Sequence, residues 1–142
     1  MRTLSQLLDA KPLRIVSIPP DASVFQALET MARYDIGALL VMEESRLVGI
    51  ISERDYARKV TLFNRASRDI PVSDIMSDNV VCVTPASSVE ECLSVMTEHR
   101  VRHLPVVQGG AVMGVLSIGD LVKDVIADQA FAIKQMSAYI MS

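Results

Sequence analysis

Two short stretches hold the residues best suited to chemistry. Gly49-Ile50-Ile51-Ser52-Glu53-Arg54-Asp55 and Gly114-Val115-Leu116-Ser117-Ile118-Gly119-Asp120 place glycine, two aliphatics, serine and aspartate at the same internal spacing. A serine three residues before an aspartate, just after an apolar run, starts a helix. Its hydroxyl accepts from a first-turn N–H, and the carboxylate sits at the positive end of the helix dipole. The same pair can hold a ligand. A hydroxyl and backbone donors at a helix start meet phosphate oxygens, while a carboxylate one turn on accepts from adjacent sugar hydroxyls. One copy alone does not choose between cap and cradle; recurrence makes Ser52/Asp55 and Ser117/Asp120 a pair of candidate sites.

The elements that position them repeat as well. Sliding Val16–Val60 over Val81–Val125 at a constant offset of 65, without gaps, gives 12 identities in 45 positions, among them Pro20/Pro85, Ser23/Ser88, Leu39/Leu104 and Asp55/Asp120. Each copy begins with a short strand, IVSI at 15–18 or VVCV at 80–83, and a proline turn. Ser23 with Gln26, and Ser88 with Glu91, are capping-box pairs ahead of a helix. Val24, Ala27, Leu28 and Met31 give the first helix an apolar stripe, as Val89, Cys92, Leu93 and Met96 do the second. Strands are expected at 38–42 and 104–107, then at 47–51 and 112–116, with helices from about Glu53 and Ile118. Each unit therefore reads strand, helix, strand, strand, helix. Val72–Met76 reads as the lead-in to copy two, aligned with Leu7–Lys11 before copy one. Phe131, Ile133, Met136 and Ile140 give a C-terminal helix an apolar side that covers either the body or another chain. The division expected is 1–65 and 66–142, the second including connector and final helix.

The totals limit the function classes. The chain has 142 residues, half of them hydrophobic, with 4% aromatic residues and no tryptophan, so an aliphatic core is expected. A net charge of −3 and a pI near 5.3 argue against a broad nucleic-acid surface. No apolar run is long enough to span a membrane, and the first residues are not a secretory leader, so cytoplasmic residence is expected. Cys82 and Cys92 stand alone and read as buried or partly buried thiols. His99 and His103 lack further metal ligands of obvious type, so no metal is expected. No nucleophile elbow, phosphate-binding GxxxxGK[ST] loop or GxGxxG fingerprint occurs, which argues against an enzyme.

The DIM at 74–76, the VRHLPVV at 101–107 and the two late segments GIISERD and GVLSIGD, in that order, resemble a tandem pair of cystathionine β-synthase-type (CBS) domains, a Bateman module. The resemblance covers nearly the whole chain. It implies an α/β (α+β) fold of two pseudo-symmetric units, each a small sheet with covering helices, packed through their sheets around two clefts. It also implies a homodimer and a regulatory rather than catalytic role. The ligand implied is adenosine-containing: AMP, ADP or ATP, with NAD(H) or S-adenosylmethionine as alternatives. By the same resemblance Asp120 and Asp55 accept from ribose, Ser117 and Ser52 support phosphate, and Arg102 and His103 are basic phosphate contacts. Arg54 and Lys59 are further candidates at a cleft mouth, and Ile18, Pro19, Val83 and Thr84 are candidates to flank adenine. Because copy one has Gly37-Ala38 where copy two has Arg102-His103, the clefts are expected to differ, with preference for the one using Asp120 and the Arg102/His103 region; the alternative is a phosphate that crosses the pseudo-symmetric interface to the other copy's residues. The alternative is a structural or protein-interaction module with no regulatory ligand; either role leaves room for a regulated protein partner.

Overall fold

The structure is a computed structural model that describes residues 2–10, 14–60 and 66–141. In chain order it runs α1 (Leu4–Ala10), β1 (Ser17–Ile18), α2 (Val24–Tyr34), β2 (Ala38–Glu43), β3 (Arg46–Ser52), α3 (Glu53–Asp55), α4 (Val89–His99), β4 (His103–Gln108), β5 (Ala111–Ser117) and α5 (Ile118–Met141). A π-helical turn over Tyr56–Val60 extends α3, and a 3-10 turn over Val72–Asp74 lies in the connector. β1 pairs parallel to β2, which pairs antiparallel to β3; β4 and β5 form the matching antiparallel pair.

The helices begin where the serines require. Ser23 accepts from Gln26 N at 3.1 Å, and the Gln26 side chain accepts from Ser23 N at 2.9 Å. Ser88 accepts from Glu91 N at 3.0 Å. Both helices end in a left-handed residue, Asp35 at φ 52° and Arg100 at φ 55°. β2 is apolar from Ala38 to Met42, where both of its faces are covered, and ends in the exposed Glu43. Leu39 and Val41 point into a core with Val24, Ala27 and Met31 of α2, while Ala38 and Leu40 are also buried, on the opposite face.

Three sequence expectations are corrected. The strand at 80–83 shrinks to a single parallel bridge, Val83 to Val106. In copy one Leu40 N donates to Val16 O at 3.3 Å; its counterpart Pro105 has no N–H to give, so that bond of the ladder cannot form. The helix expected from Ile118 and the one expected near the C-terminus are a single element, the 24-residue α5; no proline or glycine follows Gly119 to break it.

The lead-ins supply the third. Leu4 N donates to Ser87 O and Ser5 N to Pro85 O, while Val72 N donates to Ala22 O and Ser73 N to Pro20 O. These matching bonds relate Leu4 to Val72 and Ser5 to Ser73, three residues out of step with the alignment on Leu7–Lys11. Each lead-in also crosses over. Leu4 and Leu7 are buried with Val83, Val89, Met96, Leu116 and Leu121, whereas Ile70, Val72 and Ile75 complete the core of copy one. Arg2 adds an ion pair to Asp124 at 3.0 Å. Cys92 is buried in the second core, where burial and the neighbouring Glu91 push its thiol up to about 11; Cys82 is exposed.

Candidate functional site

Each late segment folds as strand, cap and first helical turn, which brings the serine and aspartate together. Ser117 N and Oγ both donate to Asp120 Oδ2, at 3.0 and 2.9 Å, and Ser117 Oγ accepts from Asp120 N at 3.2 Å. Ser52 and Asp55 repeat this at 2.9, 3.0 and 3.3 Å. Both serines are therefore helix caps, and both also line a cleft.

One cleft, of about 550 Å³, joins Ser117, Asp120 and Val115 of the second copy to Arg14, Val16, Tyr34, Asp35 and Ile36 of the first. The other, about 640 Å³, joins Ser52, Asp55 and Ile50 to Arg100, Val101 and Arg102, with Arg54, Arg58 and Lys59 also in its lining. An adjoining hollow continues it past Asn79, Val81 and His99. The linings correspond at the offset of 65: Val16 to Val81, Asp35 to Arg100, Gly37 to Arg102, Ser52 to Ser117. Both volumes suit a small organic ligand.

The charges do not correspond. Five basic side chains, Arg54, Arg58, Lys59, Arg100 and Arg102, line the Asp55 cleft against two acidic ones, Glu53 and Asp55, for a balance of +3. The Asp120 cleft has Arg14 against Asp35 and Asp120, a balance of −1. Lys59 is partly engaged, donating to Ile75 O at 2.8 Å and lying 3.5 Å from Asp55 Oδ1. Arg54 reaches the backbone carbonyl of Arg100 at 3.5 Å.

The structure separates two residues that the sequence reading joined. Arg102 lines the Asp55 cleft and is absent from the lining of the Asp120 cleft. The reason is the pseudo-twofold arrangement: each serine–aspartate pair faces the helix end and strand start of the other copy. His103, at the head of β4, borders both clefts. Burial holds its imidazole below the ordinary 6.5, Asp120 and Glu53 pull upward, and Arg102 pushes down again.

Ile18, Pro19, Val83 and Thr84 line neither cleft. Ile18 and Val83 point into the two cores instead. The aliphatic walls are Val16, Ile36 and Val115 on one side and Ile50 and Val101 on the other. Tyr34 was missed; Arg14 lies over its ring at 6.0 Å. The signal was available, since Tyr34, Asp35 and Gly37 hold the repeat positions of His99, Arg100 and Arg102. Among the described residues no group of three or more His, Cys, Asp or Glu side chains is placed to hold a metal, and no helix is long and apolar enough to cross a membrane.

Fold and clefts together define a class: two repeated α/β units sharing a pair of ligand-sized clefts whose walls come from both. Comparison with known proteins specifies it. The CBS domain family model matches residues 10–61 and again 72–127, and the chain belongs to the CBS domain family as a tandem pair. CBS domains are non-catalytic regulatory modules. A putative signal-transduction protein with CBS domains from Burkholderia ambifaria is 49% identical and superposes with a TM-score of 0.87, over 90% of this chain and 96% of that one. The mitochondrial CBS domain-containing protein CBSX3 of Arabidopsis thaliana is 37% identical over 125 residues, 84% of this chain but 61% of that protein's length. A CBS domain protein of Pyrobaculum aerophilum, solved in complex with AMP, is 28% identical with a TM-score of 0.73, over 84% of this chain and 89% of that one.

Proposed function

We propose that this chain is a regulatory module that takes an adenosine-containing nucleotide in the clefts between its two CBS units. The observation carrying this reading is the same serine–aspartate pair lining each of two clefts, opposite a wall contributed by the other copy. In it, Asp55 and Asp120 accept from ribose hydroxyls, and Ser52, Ser117 and helix-start N–H groups meet phosphate. The AMP complex of the Pyrobaculum relative supports the ligand class. The charge balance refines it. Phosphate is held more tightly in the Asp55 cleft, by Arg54, Lys59, Arg100 and Arg102, than in the Asp120 cleft, and this moves the expected preference away from Asp120. In the Asp120 cleft the adenine lies between Val16, Ile36 and Val115, with Tyr34 at its edge.

Because each cleft has walls from both units, a ligand that bridges them favours one relative packing over another. It transmits a signal to the extent that its affinity differs between the two packings. The module acts as a homodimer in the cytoplasm. α5 supports self-association: Val122, Ile126, Ile133, Met136 and Ile140 are exposed by 42–77% and lie on one stripe of the helix, clear of Asp124, Asp128 and Lys134. A seam with this periodicity fits a second copy of the same helix.

Calorimetric titration with AMP, ADP, ATP, NADH and S-adenosylmethionine tests the ligand class, using wild type, Asp55→Ala and Asp120→Ala. ATP affinity is expected to fall more in Asp55→Ala. Equal affinities in all three folded proteins rule out the ribose role, and absence of heat with every ligand favours a purely structural module.

A further inference from the structure

We infer that His103 couples the two clefts, so that the affinity of each for an anionic nucleotide depends on whether the other is filled. The inference rests on the proposal that both clefts take such ligands, and it adds a regulatory link between them. Among the described residues His103 is the only side chain that lines both clefts; the other shared residue, Gly37, has none. The two form the partition. A Cβ built on Gly37 would lie 3.4 Å from His103 Nε2 and 3.5 Å from Cε1, so the imidazole edge rests against the glycine with no side chain between.

The pseudo-symmetry makes this ring singular. His103 pairs with Ser117 across β4 and β5, as Ala38 pairs with Ser52 across β2 and β3. One imidazole therefore stands where a perfect repeat would have two, or none. Its charged neighbours come from both sides: Asp120 at the start of α5, Glu53 of α3 and the adjacent Arg102. Without an anion beside it, burial favours the neutral ring.

An anion in either cleft favours the imidazolium, drawing one proton from solvent onto the ring. Once charged, the ring attracts an anion on its other side. The first ligand bears the cost of protonation and the second does not, which is positive coupling through a shared proton.

The test uses the purified chain with AMP as probe. The titration of the His103 imidazole is followed by long-range proton–nitrogen NMR, its signal assigned by its loss in His103→Gln. Asp55→Ala removes the ribose acceptor of the Asp55 cleft so that AMP fills the Asp120 cleft first, and Asp120→Ala does the reverse; each variant is compared with its own ligand-free titration. The expected result is an upward shift of the His103 midpoint by AMP in both variants. In wild type at pH 7 the second AMP is expected to bind about fivefold more tightly than it does alone. His103→Gln, whatever its effect on the separate affinities, removes that dependence. AMP binding in both clefts with His103 unmoved by one or both overturns the coupling alone. AMP binding in a single cleft overturns it too, while no binding of AMP overturns the nucleotide reading and the coupling with it.

Discussion

Replacing Arg100 by Asp and Arg102 by Gly would give copy two the side chains that copy one carries at Asp35 and Gly37. The backbone should accept both changes. Arg100 is left-handed at φ 55°, the conformation Asp35 adopts at φ 52°, and aspartate tolerates that region better than most residues. The hydrogen bonds made here by main-chain groups, Arg54 Nη1 to Arg100 O and Ile118 N to Arg102 O, do not depend on these side chains. The charge balance of the Asp55 cleft would fall from +3 to 0, since Arg→Asp removes two units and Arg→Gly one. A hydrogen bond to a charged group contributes about 1.5–3 kcal/mol, and exposure of both arginines places them at the low end. Losing two such contacts costs about 3 kcal/mol, or roughly 100-fold in the ATP dissociation constant. Adenosine, which lacks phosphate, should bind as before. Calorimetry at low and moderate salt reads both ligands, and the ATP affinity of the variant should depend less on salt. An ATP affinity within about threefold of wild type, in a variant with unchanged unfolding temperature, would refute the placing of phosphate in this cleft.

Three further outcomes follow from the packing. Leu4→Ala removes a fully buried side chain from the second core; it should cost about 3 kcal/mol and lower the unfolding temperature by roughly 10 °C, and an unchanged thermal scan would show that the lead-in does not cross. Well above pH 6.5 His103 is neutral both folded and unfolded, but as pH falls through 6.5 the unfolded chain binds a proton that the native ring resists down to its lowered value. Stability should decline across that window, and urea midpoints should decline less for His103→Gln; identical pH profiles would contradict this. Ile133→Lys with Ile140→Lys should convert a dimer to a monomer in sedimentation, since both side chains lie on the exposed stripe of α5. A wild-type chain that sediments as a monomer at all concentrations would disprove the seam.

Local rules carried much of the fold because they act between near neighbours. Ser23 with Gln26 and Ser52 with Asp55 formed their caps where the spacing predicts, and β2 and β4 kept the apolar runs expected of strands covered on both faces. The repeat made the paired sites visible, and the unequal residues at Gly37 and Arg102 showed that the clefts would differ.

The sequence by itself determined the two units, their helix starts and the two serine–aspartate pairs, all of which depend on contacts a few residues apart. Only the tertiary structure decided which arginines face which aspartate, because that choice belongs to the pseudo-twofold packing of one unit on the other. It placed Arg102 with Asp55, put Ile18 and Val83 into the cores while Val16 and Tyr34 took the cleft wall, and sent Leu4 and Val72 each into the other copy's core. A one-dimensional repeat records equivalence between copies. It does not record that each copy completes its neighbour, since the buried apolar area that enforces the exchange exists only after the two units meet.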